Sequence, residues 1–131
     1  MKTEIKRIQR KRTKGYKLPP NTVCINRPLK WGNPLKLVGD MIYVDAGYRR
    51  KTFDKWVYLK RGDINDLLYL YSRLLKYNLS FAERRNKDLV YWSERFLELD
   101  TEELRGKNLA CFCATDKPCH GDILLKHANR K

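Results

Sequence analysis

Between residues 104 and 129 the chain reads LRGKNLACFCATDKPCHGDILLKHAN, which holds three of its four cysteines and both of its histidines. Any fold this chain adopts has to place that sulfur and imidazole together. Residues 108–113 are apolar and predict a short buried strand. A proline-containing turn over 114–118 follows, and then Ile123, Leu124, Leu125 and Ala128 recur at a spacing that suits a helix over 122–129. Side chains alternate faces along a strand, so Cys111 and Cys113 are expected on one face and Phe112 on the other. Cys119 and His120 then fall at or just before a helix N-terminus. Unpaired N–H groups and the helix dipole favour anions there and lower a thiol's pKa. Ligands of open α/β sheets also sit at the ends of strands.

A chain of 131 residues is long enough for one domain with a core of its own and short for two. Lys and Arg number 29 against 15 Asp and Glu, a net charge of +14. Such a surface repels its own copies and attracts polyanions, so the expected partner is an anionic ligand, a nucleotide or nucleic acid. No apolar run approaches the roughly 18 residues of a membrane span, and MKTEIKRIQRKR lacks the apolar segment of a signal peptide. These features predict a cytoplasmic protein without a membrane partner. Thiols stay reduced in that compartment, which makes the cysteines ligands, nucleophiles or core residues rather than disulfides.

Taken in order, residues 1–20 form a basic N-terminal arm and residues 21–131 a single α/β domain. The arm carries eight Lys or Arg between Lys2 and Lys17. Composition alone suits a solvated tail and a nucleic-acid arm equally. Gly15, Pro19 and Pro20, with Ile8, Tyr16 and Leu18 as anchors, favour order. Residues 22–26 predict the first core strand, which Arg27 and Pro28 end. The loop after it combines Trp31, Gly32, Asn33 and Pro34, and Trp31 suits core packing better than stacking on a base.

Residues 35–38 and 41–44 predict a hairpin around Gly39 and Asp40. Phe53, Trp56, Val57 and Lys60 recur at helical spacing within residues 48–60. Asp63 or Asn65 would cap a helix whose apolar face is Ile64, Leu67, Leu68, Tyr71, Leu74 and Leu75. Ser80 and Glu83 make a capping-box signature for a third helix carrying Leu89, Val90, Trp92 and Phe96. Asp100 and Glu103 repeat the signature for a short turn that Gly106 would close. The aromatics of this middle section are expected in the core.

Three chemistries could use the cysteine block. In the first, Cys111, Cys113 and Cys119 bind zinc. Adjacent Cys119 and His120 do not turn easily toward one ion, so another group such as His127 would complete the site. In the second, Cys119 is a thiolate beside His120, with Asp122 orienting a proton. In the third, the cysteines are small buried residues and His120 has no special role. Spacing alone leaves all three open, and Cys24, apart from the rest, is expected in the core.

RIQRKRTKGYKLPPNTVCINRPLKWGNPLK and the 104–129 block together resemble the two signature blocks of the Domain of Unknown Function 4326 family, small proteins of bacteria and their phages. The blocks span residues 7–36 and 104–129; residues 37–103 match loosely, and their helical stretches look longer than is usual for the family. The resemblance picks out Arg27, Trp31, Gly32, Asn33 and Pro34 in the first block and Cys111, Cys113, Cys119, His120 and Asp122 in the second. Cys24 stands where the family more often shows Val or Tyr. The resemblance brings no established reaction, and a family alone does not license one.

These observations predict an α/β fold: a small, mostly parallel sheet with helices packed around it, in which the 22–26 and 109–113 strands are neighbours. The loop at Trp31 to Pro34 would then face Cys119 and His120. The working expectation is an enzyme acting on a nucleotide or nucleic acid, with glycosidic-bond chemistry as one option. Cys119, His120 and Asp122 would be catalytic. Arg27, Trp31, Gly32 and Asn33 would bind substrate, with Arg10, Arg12 and Lys14 of the arm lying against the cleft. The first alternative is a non-catalytic nucleic-acid-binding module, with zinc as the candidate metal. The second is a phage accessory protein that binds a protein partner.

Overall fold

Arg7–Gln9, with Arg7 buried, Ile8 half-buried and Gln9 exposed, forms the first strand, β1, in the computed structural model, which describes residues 5–27, 29–50 and 54–129. Thr22–Cys24 is β2, Leu35–Val38 β3, Met41–Asp45 β4 and Trp56–Arg61 β5. Helices α1 (Ile64–Leu75) and α2 (Lys87–Leu97) follow, then β6 (Asn108–Cys111) and α3 (His120–Ala128). Pro28, expected to end the first core strand, and Phe53, of the expected second-quarter helix, lie outside the described residues, as does Lys2.

The strands form two separate three-stranded sheets rather than one mostly parallel sheet. The first has the order β1-β6-β2 and is parallel throughout, and the second has the order β3-β4-β5 and is antiparallel. Local chemistry explains the difference. Gly39, with φ of +62°, supplies the left-handed residue of a two-residue turn, so Val38 pairs with Met41 and an antiparallel hairpin is the only outcome. The β2 and β6 strands are joined by more than 80 intervening residues, and a parallel pair needs a long crossover of this kind. The expected neighbouring of these two strands is observed, with Thr22 opposite Asn108 and Cys24 opposite Ala110.

One compact unit contains the described residues up to Gly32 and from Asp100 onward, and a second contains Asn33–Leu99. In the antiparallel unit the core is built from Leu35, Ile42 and Val44 of the sheet, Leu67, Leu70, Tyr71, Leu74 and Leu75 of α1, and Leu89 and Phe96 of α2. In the parallel unit the apolar core is Ile25, Trp31, Leu104, Leu109, Leu124 and Ala128.

The helix expected within residues 48–60 is a correction: Trp56–Arg61 is a strand. A spacing of three and four residues over so short a run also fits a strand. Cross-strand pairing of Tyr43 with Tyr58 and Val44 with Val57 decides the outcome. Asp63 caps α1 as expected and completes a capping box with Asp66. Ser80 and Glu83 do exchange the reciprocal bonds of a capping box, but these start only a 3-10 turn, Glu83–Arg85. Asn86, accepting from the N–H groups of Asp88 and Leu89, caps α2. The middle aromatics divide: Tyr71 and Phe96 are core, whereas Tyr48, Tyr58, Tyr69, Tyr77 and Phe81 are exposed. No helix among the described residues is long and apolar enough to cross a membrane.

Candidate functional site

All three strands of the parallel sheet run the same way, so the residues just past their ends meet on one edge. Arg10 follows β1, Ile25 and Asn26 follow β2, and Phe112 and Cys113 follow β6. The ladder continues beyond the strands, with the Arg10 N–H donating to the Cys111 carbonyl and the Ile25 N–H to the Ala110 carbonyl. Helix α3 begins beside this edge, placing Cys119 as its N-cap residue and His120 as its first helical residue.

The sulfur atoms of Cys111, Cys113 and Cys119 all lie within 4.8 Å of one another, and those of Cys111 and Cys119 are 3.2 Å apart. Cys111 and Cys119 are buried and Cys113 is half-buried. Hydrogen bonds from Cys113 and then Cys119 push the Cys111 thiol down, while Cys119, donating toward Cys111, is pushed up. Cys24, the fourth cysteine, is half-buried and stands outside the cluster.

Cys119, the N-cap residue, has extended backbone (φ −151°, ψ 153°), and the helix begins at His120. His120 Nδ1 lies 3.6 Å from Cys119 Sγ, so the two adjacent side chains do converge. His120 Nε2 is 2.8 Å from the Ile25 carbonyl oxygen. That oxygen can only accept, so Nε2 carries the proton and Nδ1 presents a lone pair. Burial lowers the His120 pKa, more than the Ile25 carbonyl opposes it, and the ring is neutral. His127 stands seven residues further along α3, about 10 Å along its axis at helical rise, and is not a member of the sulfur group.

The residue that organises this centre is Arg7, which the charge of the arm concealed. Its Nε pairs with Asp122 Oδ1 at 3.0 Å. Nη2 donates to the carbonyls of Ala114, Thr115 and Lys117, and Nη1 to that of Cys113. One guanidinium thereby holds the entire turn between β6 and α3. Its side chain is 6% exposed. Burial by itself would lower the Arg7 pKa, but the charges of Cys119 and Asp122 raise it instead. Gly121 makes room for this side chain, since a Cβ there would stand 2.8 Å from Arg7 Cδ and 2.9 Å from Ile25 Cδ1. The glycine at the second position of α3 was the signal available in sequence.

Asp122 is engaged on both oxygens: Oδ1 faces Arg7 and Oδ2 accepts the Cys119 N–H at 3.2 Å. Trp31 is core at 1% exposure and donates from Nε1 to Glu103, so it offers no ring face to a ligand. Gly32 closes the turn under Arg27: a Cβ would be 2.9 Å from Arg27 Cα. Asn33 belongs to the antiparallel unit, where its Oδ1 accepts the Leu35 N–H. Arg27 is exposed, and its charge is felt at His120. Arg10 and Arg12 stack on Phe112, their guanidinium carbons 5.0 and 4.1 Å from the ring centre, and Arg10 Nη1 reaches Asn26 Oδ1 at 2.7 Å. Lys14 is exposed at the arm's turn, beside Gly15.

No curated protein and no solved structure matches the chain. The family model described as Domain of unknown function (DUF4326) matches residues 8–130, nearly the whole length, and the chain belongs to that family.

Proposed function

We propose that the protein binds nucleic acid through the carboxyl edge of its parallel sheet, with Arg10, Arg12 and Arg27 contacting phosphate and Phe112 backing them. The observation that carries this reading is the pair of guanidinium groups on one phenylalanine ring. Two like charges brought together repel, and among the described residues no carboxylate pairs with either. A phosphate between them would remove that repulsion, and a net charge of +14 draws a polyanion rather than a small anion. The carboxyl edge of parallel strands is also the usual place for phosphate-bearing ligands. Arg10, tied to Asn26 across the end of β6, is already held in place and loses little freedom on binding.

Binding of a fluorescent single-stranded oligonucleotide over a salt series tests the reading. Affinity should fall steeply with salt. The Arg10→Ala, Arg12→Ala double variant should lower both affinity and the salt slope, by about one unit for each phosphate that is no longer neutralised. Equal affinity and slope in the variant would sink the proposal, and competition by mononucleotide at equal phosphate concentration would redirect it to a nucleotide.

Enzymatic processing of the same ligand is a second reading, favoured by the 3.6 Å approach of His120 Nδ1 to Cys119 Sγ. Burial of both residues, at 2% and 6% exposure, weighs against a nucleophile that must reach substrate. Product released from an oligonucleotide by the native protein, and abolished by thiol alkylation, would carry that reading instead.

A further inference from the structure

We infer that Cys111, Cys113, Cys119 and His120 form a closed tetrahedral site for one zinc ion, which locks the turn between β6 and α3. The site is separate from the phosphate-binding edge and does not depend on it.

Distances come first. Zinc–sulfur and zinc–nitrogen bonds in a tetrahedron set sulfurs about 3.8 Å apart and a sulfur and nitrogen about 3.6 Å apart. The three sulfurs, within 4.8 Å of one another with one pair at 3.2 Å, bracket the first distance. His120 Nδ1 to Cys119 Sγ, at 3.6 Å, meets the second; the ring stands outside the three-sulfur group and would close on the ion as the fourth ligand.

The surroundings are those a metal-bound thiolate requires. Cys119 is the N-cap residue of α3, where unpaired backbone N–H groups favour a thiolate. Arg7 adds a positive charge beside the cluster, its Nη1 donating to the Cys113 carbonyl. His120 Nε2 donates to the Ile25 carbonyl, which fixes the ring with Nδ1 toward the sulfurs. A second hydrogen bond of this kind is the usual support of a ligating histidine. Three soft sulfurs and an imidazole suit zinc rather than calcium or magnesium. Cys111, Cys119 and His120 are 1%, 2% and 6% exposed and Cys113 is half-buried, and four protein ligands would leave no coordination position for a reacting water. The expected role is structural, because a closed four-ligand site adds its binding energy to folding.

Elemental analysis of the full chain, purified with reductant and without added metal, should find about one zinc per chain. Replacement by cobalt, which takes the same geometry, should give intense visible bands of a tetrahedral centre and a sulfur-to-cobalt charge-transfer band. Cys24→Ser should keep both signals. His120→Ala should keep the charge transfer and shift the visible bands, because sulfur remains and nitrogen is lost. Failure of the reduced wild-type protein to hold zinc and to develop either cobalt band would overturn the inference. So would unchanged visible bands in His120→Ala, or a native Cys111–Cys119 disulfide whose reduction gives a protein that takes up no cobalt. Since the decisive cobalt spectrum is recorded on the wild-type chain, misfolding of a variant does not rescue the idea.

Discussion

In the antiparallel unit, α1 turns Leu67, Leu70, Tyr71, Leu74 and Leu75 inward and α2 adds Leu89 and Phe96. In the parallel unit, strands of three and four residues surround a buried arginine, two buried thiols and a buried histidine. Each fully buried aliphatic or aromatic side chain contributes about 1.5–3 kcal/mol, so the antiparallel unit is held by ordinary apolar burial. A polar interior is stabilising only while every donor and acceptor keeps its partner. The parallel unit meets that condition through Arg7, whose bonds to Asp122 and to four carbonyls join the first strand to the last helix. Candidate site and folding device are thus the same residues in one unit, and the other unit folds without any such device.

The largest expected effect breaks the parallel unit. Arg7→Ala leaves Asp122 Oδ1 and the carbonyls of Cys113, Ala114, Thr115 and Lys117 without their Arg7 donor. Each buried acceptor left without its donor costs roughly 1–3 kcal/mol, while Asp122, its side chain 52% exposed, is resolvated and adds little; the sum is a large share of the roughly 5–15 kcal/mol that holds a domain folded. Arg7→Lys should recover only part of it, because an ammonium cannot reach acceptors on several sides at once. Leu74→Ala is the matching test of the antiparallel unit, where a side chain at 0% exposure is lost and roughly 2–5 kcal/mol with it. Hydrogen exchange separates the two. Arg7→Ala should deprotect peptides from 104–129 and spare those from 63–75, and Leu74→Ala should do the reverse. Uniform deprotection in both variants would mean that the units do not differ as described.

The same contrast governs what the sequence disclosed. Amphipathic spacing and capping residues located α1, and the Gly39-Asp40 turn located the β3-β4 hairpin, because these are local signals acting within a few residues. The cysteine block and its strand-turn-helix were legible for the same reason. Arg7 was not: its partners lie 106 to 115 residues away, and a basic run gives no sign of which of its arginines turns inward. The convergence of Cys119 and His120 was also hidden, since spacing does not show how two adjacent side chains turn at a helix start. Trp56–Arg61 misled because a short amphipathic run satisfies two periodicities, and its pairing with β4 is settled only by tertiary structure.

A smaller effect sharpens the role of Arg7. Gly121→Ala adds a methyl group that would stand 2.8 Å from Arg7 Cδ and 2.9 Å from Ile25 Cδ1. Alanine is the better helix former, which returns somewhat less than about 1 kcal/mol. Overpacking typically costs about 1–3 kcal/mol and should win here, since Arg7 is fixed by its hydrogen bonds and cannot withdraw. Denaturant midpoints of wild type and variant measure the net. A stabilised Gly121→Ala would show that Arg7 is less tightly held than its hydrogen bonds imply.

The smallest effect belongs to the antiparallel unit and concerns acid. Asp88, at 3% exposure, accepts from the Tyr48 hydroxyl and from Nε and Nη2 of Arg49 at 2.7–2.8 Å. Hydrogen bonds from Arg49 hold its carboxyl below the usual carboxylate range, outweighing the opposite push of burial. In the unfolded chain the same group titrates near its ordinary value of about 3.9. As pH falls, the unfolded chain therefore takes up the proton first. The stabilisation is fully present above that value and is lost as pH falls through the folded pKa. Glu103 of the parallel unit shifts the same way, through Lys30 and then Trp31, but its side chain is 41% exposed and solvent screens the pair. The acid-dependent loss should accordingly be read most strongly in the antiparallel unit. Asp88→Asn should lower stability at pH 7 and flatten its decline between pH 5 and 3, followed by the emission of Trp92, four residues further along α2. An unchanged decline in the variant would assign the acid sensitivity to another carboxylate, and the contrast between an apolar unit with one buried ion pair and a unit built on Arg7 would have to be redrawn.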